Sequence, residues 1–176
     1  MNKECNFMID IEALGIAETS IILSIGAHCL ETAEGFYVEL DIGRQGIRTT
    51  DLDTLKWWLN QDTKIPVNGT ANLSDALRSL AQFIQCPDGM VPSVWANGSD
   101  YDFKILANAY NLQNLQIPWK YNSVRDYRTL SKLLPHIKRA EFTGTKHNAL
   151  DDATNQAAHL KLLLEEVEKW TPIPPI

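Results

Sequence analysis

The spacing of hydrophobic residues changes once along the chain, and that change limits the folds open to it. Residues 7–12 read as an apolar strand ending in acids. Residues 19–29 read as a second strand, rich in β-branching at Ile21, Ile22 and Ile25 beside Leu23. Residues 35–40, with Phe36, Tyr37 and Val38, read as a third, and the short turns between them make a meander. From residue 50 onward the period becomes helical. Thr50 or Asp51 can cap a helix through Leu52, Leu55, Trp58 and Leu59. Asn72 or Ser74 can cap another through Leu73, Ala76, Leu77, Leu80, Ala81 and Ile84. Residues 92–96 resemble a buried strand, followed by a turn at Asn97-Gly98-Ser99, where Ser99 can cap a helix holding Phe103, Leu106, Ala107 and Tyr110. A short strand over 122–124 and a long helix from Asn148 to Val167 complete the pattern. Strands first, then helices mixed with strands, predict an α/β or α+β domain. Its mixed sheet would be antiparallel at the start and parallel after the first helical crossover.

The 176 residues show no internal repeat and no Gly/Ser linker, so residues 1–170 are expected to form a single domain. Residues 171–176, with three prolines, form a tail that cannot continue a helix. No apolar run reaches the ~20 residues of a membrane helix, and Asp10 arrives before a signal-peptide core could form. Cys5, Cys29 and Cys86 are odd in number and widely spaced, with no CxxC pair. Neither a disulfide scaffold nor a thiolate zinc site is expected, and the simplest setting is a reduced cytoplasm. A net charge of −6 argues against a protein that coats nucleic acid with a general basic surface. The charge is uneven, however: residues 120–146 carry seven Lys or Arg against two acids. That stretch reads either as a solvated helix face or as an edge facing phosphate.

Three groups of residues can carry chemistry. Asp10 and Glu12 lie two apart on a strand, so both carboxylates project from one face. Two ionised acids side by side repel unless a cation lies between them or one is protonated. Gly15 follows, where backbone could approach a ligand. Asp100 and Asp102 fall where a turn enters a helix, and His147 stands five residues before Asp152 at the start of the last helix. Taken singly, the last two groups read as helix N-terminal chemistry, since acids there favour the helix dipole. Taken together, the three supply four carboxylates and one imidazole. Hard oxygen ligands suit Mg²⁺ or Mn²⁺, a pair of such ions can clamp a phosphoryl displacement, and the imidazole can accept a proton from water. No P-loop, HExxH or G-x-S-x-G motif is present to support ATPase, zinc protease or serine hydrolase readings.

The ordered set resembles the DEDDh family of 3′→5′ exonucleases over residues 7 to about 165. Asp10 and Glu12 match its D-x-E motif, and His147, Ala149 and Asp152 complete H-x-A-x-x-D. Trp95-Ala96-Asn97-Gly98 with Tyr101-Asp102 and Leu106 looks like the middle motif of a narrower bacterial and phage branch that includes RNase AS. The aromatic-Asp step of that motif assigns the role to Asp102 rather than Asp100. Trp57-Trp58 and Arg125-Asp126-Tyr127-Arg128-Thr129 look like further segments of the same branch. Ala13 departs from it, because many relatives carry Thr there.

The resemblance implies an RNase H-like fold, with a five-stranded mixed sheet flanked by helices and two divalent cations, Mg²⁺ or Mn²⁺. Asp10 would bridge both ions, Glu12 and Asp152 would hold the one that positions the nucleophilic water, and Asp102 would support the second. His147 would be the general base. Ala13, Leu14 and Gly15 would lie beside the terminal nucleotide, with Trp57, Asn97, Arg125 and Arg128 as further substrate contacts. Helical spacing makes Trp58 the core member of the tryptophan pair and leaves Trp57 nearer solvent. The expected partner is the 3′ end of a single-stranded RNA or DNA, with no membrane. The resemblance also admits a homodimer, since several relatives form one. Two other readings compete with this one. The first is a non-catalytic module binding nucleotide, nucleic acid or protein on the same fold; the second is a phosphohydrolase acting on a small nucleotide.

Overall fold

The computed structural model describes residues 3–87 and 90–170; the proline-rich tail expected at 171–176 lies outside them. Five strands form one sheet: β1 (Lys3–Ala13), β2 (Ile22–Cys29), β3 (Gly35–Glu39), β4 (Met90–Ala96) and β5 (Val124–Asp126). They lie side by side in the order β3-β2-β1-β4-β5. The meander β1-β2-β3 is antiparallel, and β4 and β5 add in parallel on the other side of β1. The helices are α1 (Leu52–Leu59), α2 (Leu73–Phe83), α3 (Ser99–Leu112), α4 (Tyr127–Leu133) and α5 (Ala149–Glu168). No helix among the described residues is long and apolar enough to cross a membrane.

The alternation of β1 sorts the whole molecule. Its odd-numbered residues Cys5, Phe7, Ile9, Ile11 and Ala13 are all buried among Leu73, Leu77 and Leu80 of α2 and Phe103, Leu106 and Tyr110 of α3. Its even-numbered Met8 packs on the opposite face against Ala153, Ala157, Leu160 and Leu163 of α5, with Tyr127 of α4 and Trp95 of β4. Burying each large side chain of this kind contributes about 1.5–3 kcal/mol. Asp10 and Glu12 continue the even face toward the end of β1, so they emerge where α5 begins.

Several local expectations change in the folded chain. Asn72 and Asn148 cap α2 and α5, and Asp51 caps α1. Ser99 does not cap α3. The cap position is Gly98, and the Ser99 amide instead donates to Asp126 Oδ2 at 2.7 Å. Asp126 also accepts from the Thr129 amide at 2.7 Å and so starts α4, a seven-residue helix too short to read from periodicity. Burial works against ionisation of this carboxyl, but the bonds from Thr129 and Ser99 prevail and hold it below its usual value. Trp58 is core, at 2% exposure, and Trp57 stands out at 44%; Leu52 and Leu59, expected beside Trp58, are exposed.

Candidate active site

The start of α5 rests directly on β2, and this contact builds the site. Gly26 lies opposite Asp10 in the β1-β2 register, and a Cβ at position 26 would run into the backbone of Ala149 and Leu150. The helix therefore begins as close to the sheet as a backbone can lie. Asn148 Oδ1 receives the amides of Leu150 and Asp151 at 3.1 Å each, which fixes the first turn and turns Asp152 toward β1. One turn further on, Gln156 Nε2 donates to Asp10 Oδ1 at 3.2 Å.

The third element enters from the other face. Asp102 sits in the first turn of α3, only 3% exposed, and its Oδ1 accepts the Ile11 amide at 3.1 Å. Ile11 is the residue between the two strand acids, so this bond ties Asp102 to the segment that carries them. Asp100 stays exposed at the surface. One carboxylate oxygen each of Glu12 and Asp152 and one ring nitrogen of His147 lie within 4.8 Å of one another.

These acids crowd one another out of water. Burial first, and then the charges of Asp102 and Asp152, push Asp10 well above the usual carboxylate range. Burial and the neighbouring Asp10, Asp152 and Asp102 raise Glu12 to about 10. Burial raises Asp102 to about 7 although the Ile11 amide works against it. Burial also raises Asp152, opposed by the His147 amide. Among the described residues no Lys or Arg forms an ion pair with any of the four. Four carboxylates converge without such an ion pair, although the charges of Arg128 and Arg139 act on Asp102 and Asp152 from further off. The hard oxygen donors of the four fit Mg²⁺ or Mn²⁺.

His147 has φ +61°, the left-handed region, on the turn before α5. Its ring packs edge-on against Trp57 at 4.9 Å and Trp58 at 5.9 Å between centroids. Trp58 in turn donates its indole N–H to the Ala13 carbonyl at 3.1 Å, so the tryptophan pair bridges the first and third motifs. All of this lines a cleft of about 700 Å³ whose wall includes Asp10, Glu12, Asp102, Asp152, His147 and Trp57.

Of the expected substrate contacts, Ala13, Trp57, Asn97 and Arg128 line the cleft. Arg128 Nη2 donates to the Asn97 carbonyl at 2.7 Å, which holds the guanidinium at the rim. Three do not line it. Arg125 pairs with Glu4 at 3.2 Å and donates to the Asn122 carbonyl, because its position on β5 points it toward the start of β1. Leu14 is buried with Leu23 and Trp58. Gly15 serves internal packing instead of ligand approach, since a Cβ there would lie 2.6 Å from Ser20 Oγ and 3.1 Å from Asp51 Cβ. Ile16, Tyr101 and Gln156 also line the cleft and were not anticipated. Gln156 could have been found from its spacing, one helical turn after Asp152.

Residues 5–164 match the family model of the 3′-5′ exoribonuclease Rv2179c-like domain. The chain belongs to this family. No curated protein matches it by sequence. Among solved structures, E. coli exonuclease I with a 5cy-dT13 oligonucleotide is similar at a TM-score of 0.68 and 13% identity, over 95% of this chain and 42% of that one. Apo exonuclease I gives a TM-score of 0.66 and 11% identity, over 95% and 45%. The chain thus spans less than half the length of the exonuclease I chains it matches. The nuclease domain of 3′hExo, a DEDDh family member bound to rAMP, gives 0.61 and 16% identity over 93% of both chains. The fold is therefore the RNase H-like exonuclease fold that these structures share.

Proposed function

We propose that this Rv2179c-like chain removes nucleoside 5′-monophosphates from the 3′ end of single-stranded RNA, in a cytoplasmic setting. The observation that carries the reading is the set of four crowded carboxylates, none in an ion pair with Lys or Arg among the described residues, with an imidazole at its edge. The family description supports RNA as the substrate, and the three free cysteines suit a reducing compartment.

Asp10, Glu12, Asp102 and Asp152 would hold two divalent cations, Mg²⁺ or Mn²⁺. When bound, these would supply positive charge to the phosphoryl oxygens and favour ionisation of the attacking water. The protein's own groups do the rest. Gln156 and the Ile11 amide hold the carboxylates of Asp10 and Asp102 in place before substrate arrives. A ring nitrogen of His147 accepts the proton of the water that attacks phosphorus. The bond from phosphorus to the 3′ oxygen breaks with its electron pair going to that oxygen, which takes a proton from solvent, leaving a 5′-monophosphate and a new 3′-hydroxyl. The exposed ring of Trp57 offers a face on which the terminal base can stack, worth about 1–3 kcal/mol. Arg128, fixed by Asn97, receives the neighbouring phosphate.

Matched RNA and DNA oligonucleotides labelled at either end, incubated with and without Mn²⁺, test this directly. The expected result is Mn²⁺-dependent release of single nucleotides from the 3′ end, faster on RNA. Binding without cleavage at saturating Mn²⁺ would replace it with the binding-module reading.

A further inference from the structure

All the thiols of the chain converge at the far end of the sheet. Cys5 of β1 and Cys29 of β2 are each 3% exposed, and the Cys86 thiol, in the connection between α2 and β4, interacts with that of Cys5. A carboxylate completes the group: one oxygen of Glu31 and the sulfurs of Cys5 and Cys29 lie within 4.8 Å of one another, with Glu31 Oε2 3.7 Å from Cys29 Sγ. The wide sequence spacing that argued against a thiolate site is bridged by the fold, since β1 and β2 are neighbours and α2 packs across both.

From this cluster we infer a second cation site, formed by Cys5, Cys29 and Glu31 with the Cys86 thiol beside Cys5, and suited to a thiophilic divalent ion of the Zn²⁺ class. Thiolate sulfur and carboxylate oxygen are both Zn²⁺ donors; Cys5, Cys29 and Glu31 supply three, and a small shift of the adjoining Cys86 thiol would supply the fourth. With bonds of about 2.3 Å to sulfur and 2.0 Å to oxygen, a tetrahedral ion sets its sulfur and oxygen ligands about 3.5 Å apart, close to the 3.7 Å found between Cys29 and Glu31. Glu31 is already oriented for the task. Its Oε2 accepts the Asn6 amide at 2.8 Å and its Oε1 the Asn6 side chain at 2.9 Å, while Asn6 Oδ1 accepts the Trp95 indole at 2.9 Å. Outer partners of this sort fix a ligating carboxylate and leave it lone pairs to donate. A disulfide fits less well. Cys29 is opposite Phe7, so Cys5 and Cys29 are diagonal neighbours, a relation that usually sets Cβ atoms about 7 Å apart or somewhat less, against the ~4 Å that a disulfide needs.

The site is separate from the carboxylate centre. Cys5 belongs to the odd face of β1 and Asp10 and Glu12 to the even face, about 17 and about 23 Å further along at roughly 3.3 Å per residue. Access is from solvent, because Glu31 is exposed and Cys86 lines a surface cavity with Ile84, Met90, Pro92 and Ile117. Binding releases the thiol protons to solvent as the thiolates form. The ion would clip together the start of β1, the β2-β3 turn and the segment leading into β4.

The test is to titrate the reduced, chelator-treated full chain with Cd²⁺ while Mg²⁺ saturates the carboxylate centre. One equivalent should produce the ultraviolet sulfur-to-metal charge-transfer band, which carboxylates cannot give. Zn²⁺ should abolish the band by competition and raise the melting temperature. Glu31→Gln and Cys86→Ser, both at accessible positions, should each weaken Cd²⁺ by at least about tenfold without altering nuclease rates in Mg²⁺. Absence of the band, or an unchanged titration midpoint in both variants, would overturn the inference.

Discussion

The main-chain amide of His147 donates to Oδ2 of Asp152 at 2.7 Å. The acid of the last motif therefore holds the backbone that presents its histidine, and the ring stands on that tether between Asp152 and Trp57. A group so mounted can pivot at its side chain while its backbone stays fixed.

His147→Asn should lower single-turnover rates by roughly 10²–10⁴-fold, the range for losing a general base, and leave Mn²⁺ affinity nearly unchanged. Asn is the better variant because it tolerates the left-handed φ of +61° that Ala adopts less readily. Calorimetric Mn²⁺ titration beside the rates decides the role. A large loss of affinity would make the imidazole a ligand, a role its place near Glu12 and Asp152 also permits.

Asp10→Asn should reduce turnover by more than about 100-fold, beyond the loss expected from disturbing a group that only orients a ligand. The amide keeps the shape but not the charge. The same change removes one of the mutually repelling acids, so the metal-free protein should melt at a higher temperature than wild type. Unchanged turnover at saturating Mg²⁺ would exclude Asp10 as a metal ligand.

Stability without metal should fall as pH rises. The folded protein raises Glu12 from an ordinary 4.5 to about 10 and Asp102 from 3.8 to about 7. For a raised carboxyl the folded state binds more protons than the unfolded state, so stability is highest below the unfolded pKa and declines toward the folded one. The loss should begin near pH 4, with the Asp102 part complete by about 7 and the Glu12 part continuing toward 10. Melting curves in chelator across this range should show the decline, and Mn²⁺ should stabilise most at the alkaline end. A metal-free melting temperature flat across the range would contradict the crowding of the four acids.

Gln156→Leu should lower the catalytic rate and Mn²⁺ affinity by about 10–100-fold, because Asp10 loses the donor that orients it. The fold should not suffer. Gln156 Oε1 is buried without a hydrogen-bond partner, and an apolar side chain of similar size removes that unpaired acceptor. Wild-type kinetics in Gln156→Leu would show that Asp10 needs no such support.

What the chain revealed beforehand follows how local each feature is. Strand alternation put Asp10 and Glu12 on one face, caps at Asn72 and Asn148 were legible from side-chain type, and a three-residue offset from Leu55 separated Trp58 from Trp57. Features that depend on distant segments were not legible. Nothing near Ser99 announces that Asp126, 27 residues away, will take its amide. A run of basic residues does not say that Arg125 turns toward Glu4 while Arg128 turns into the cleft. Gln156 carries no charge to attract notice, and the cysteines meet only across paired strands.

The contact between Gly26 and the start of α5 gives the order of synthesis a biological meaning. Asp10, Glu12 and Asp102 are made before residues 147–152. The sheet can form early, but the fourth acid and the imidazole arrive only when a helix from much later in the chain settles into the space that Gly26 leaves open. Until residues 147–152 have been made, three of the acids stand without the fourth and without the imidazole.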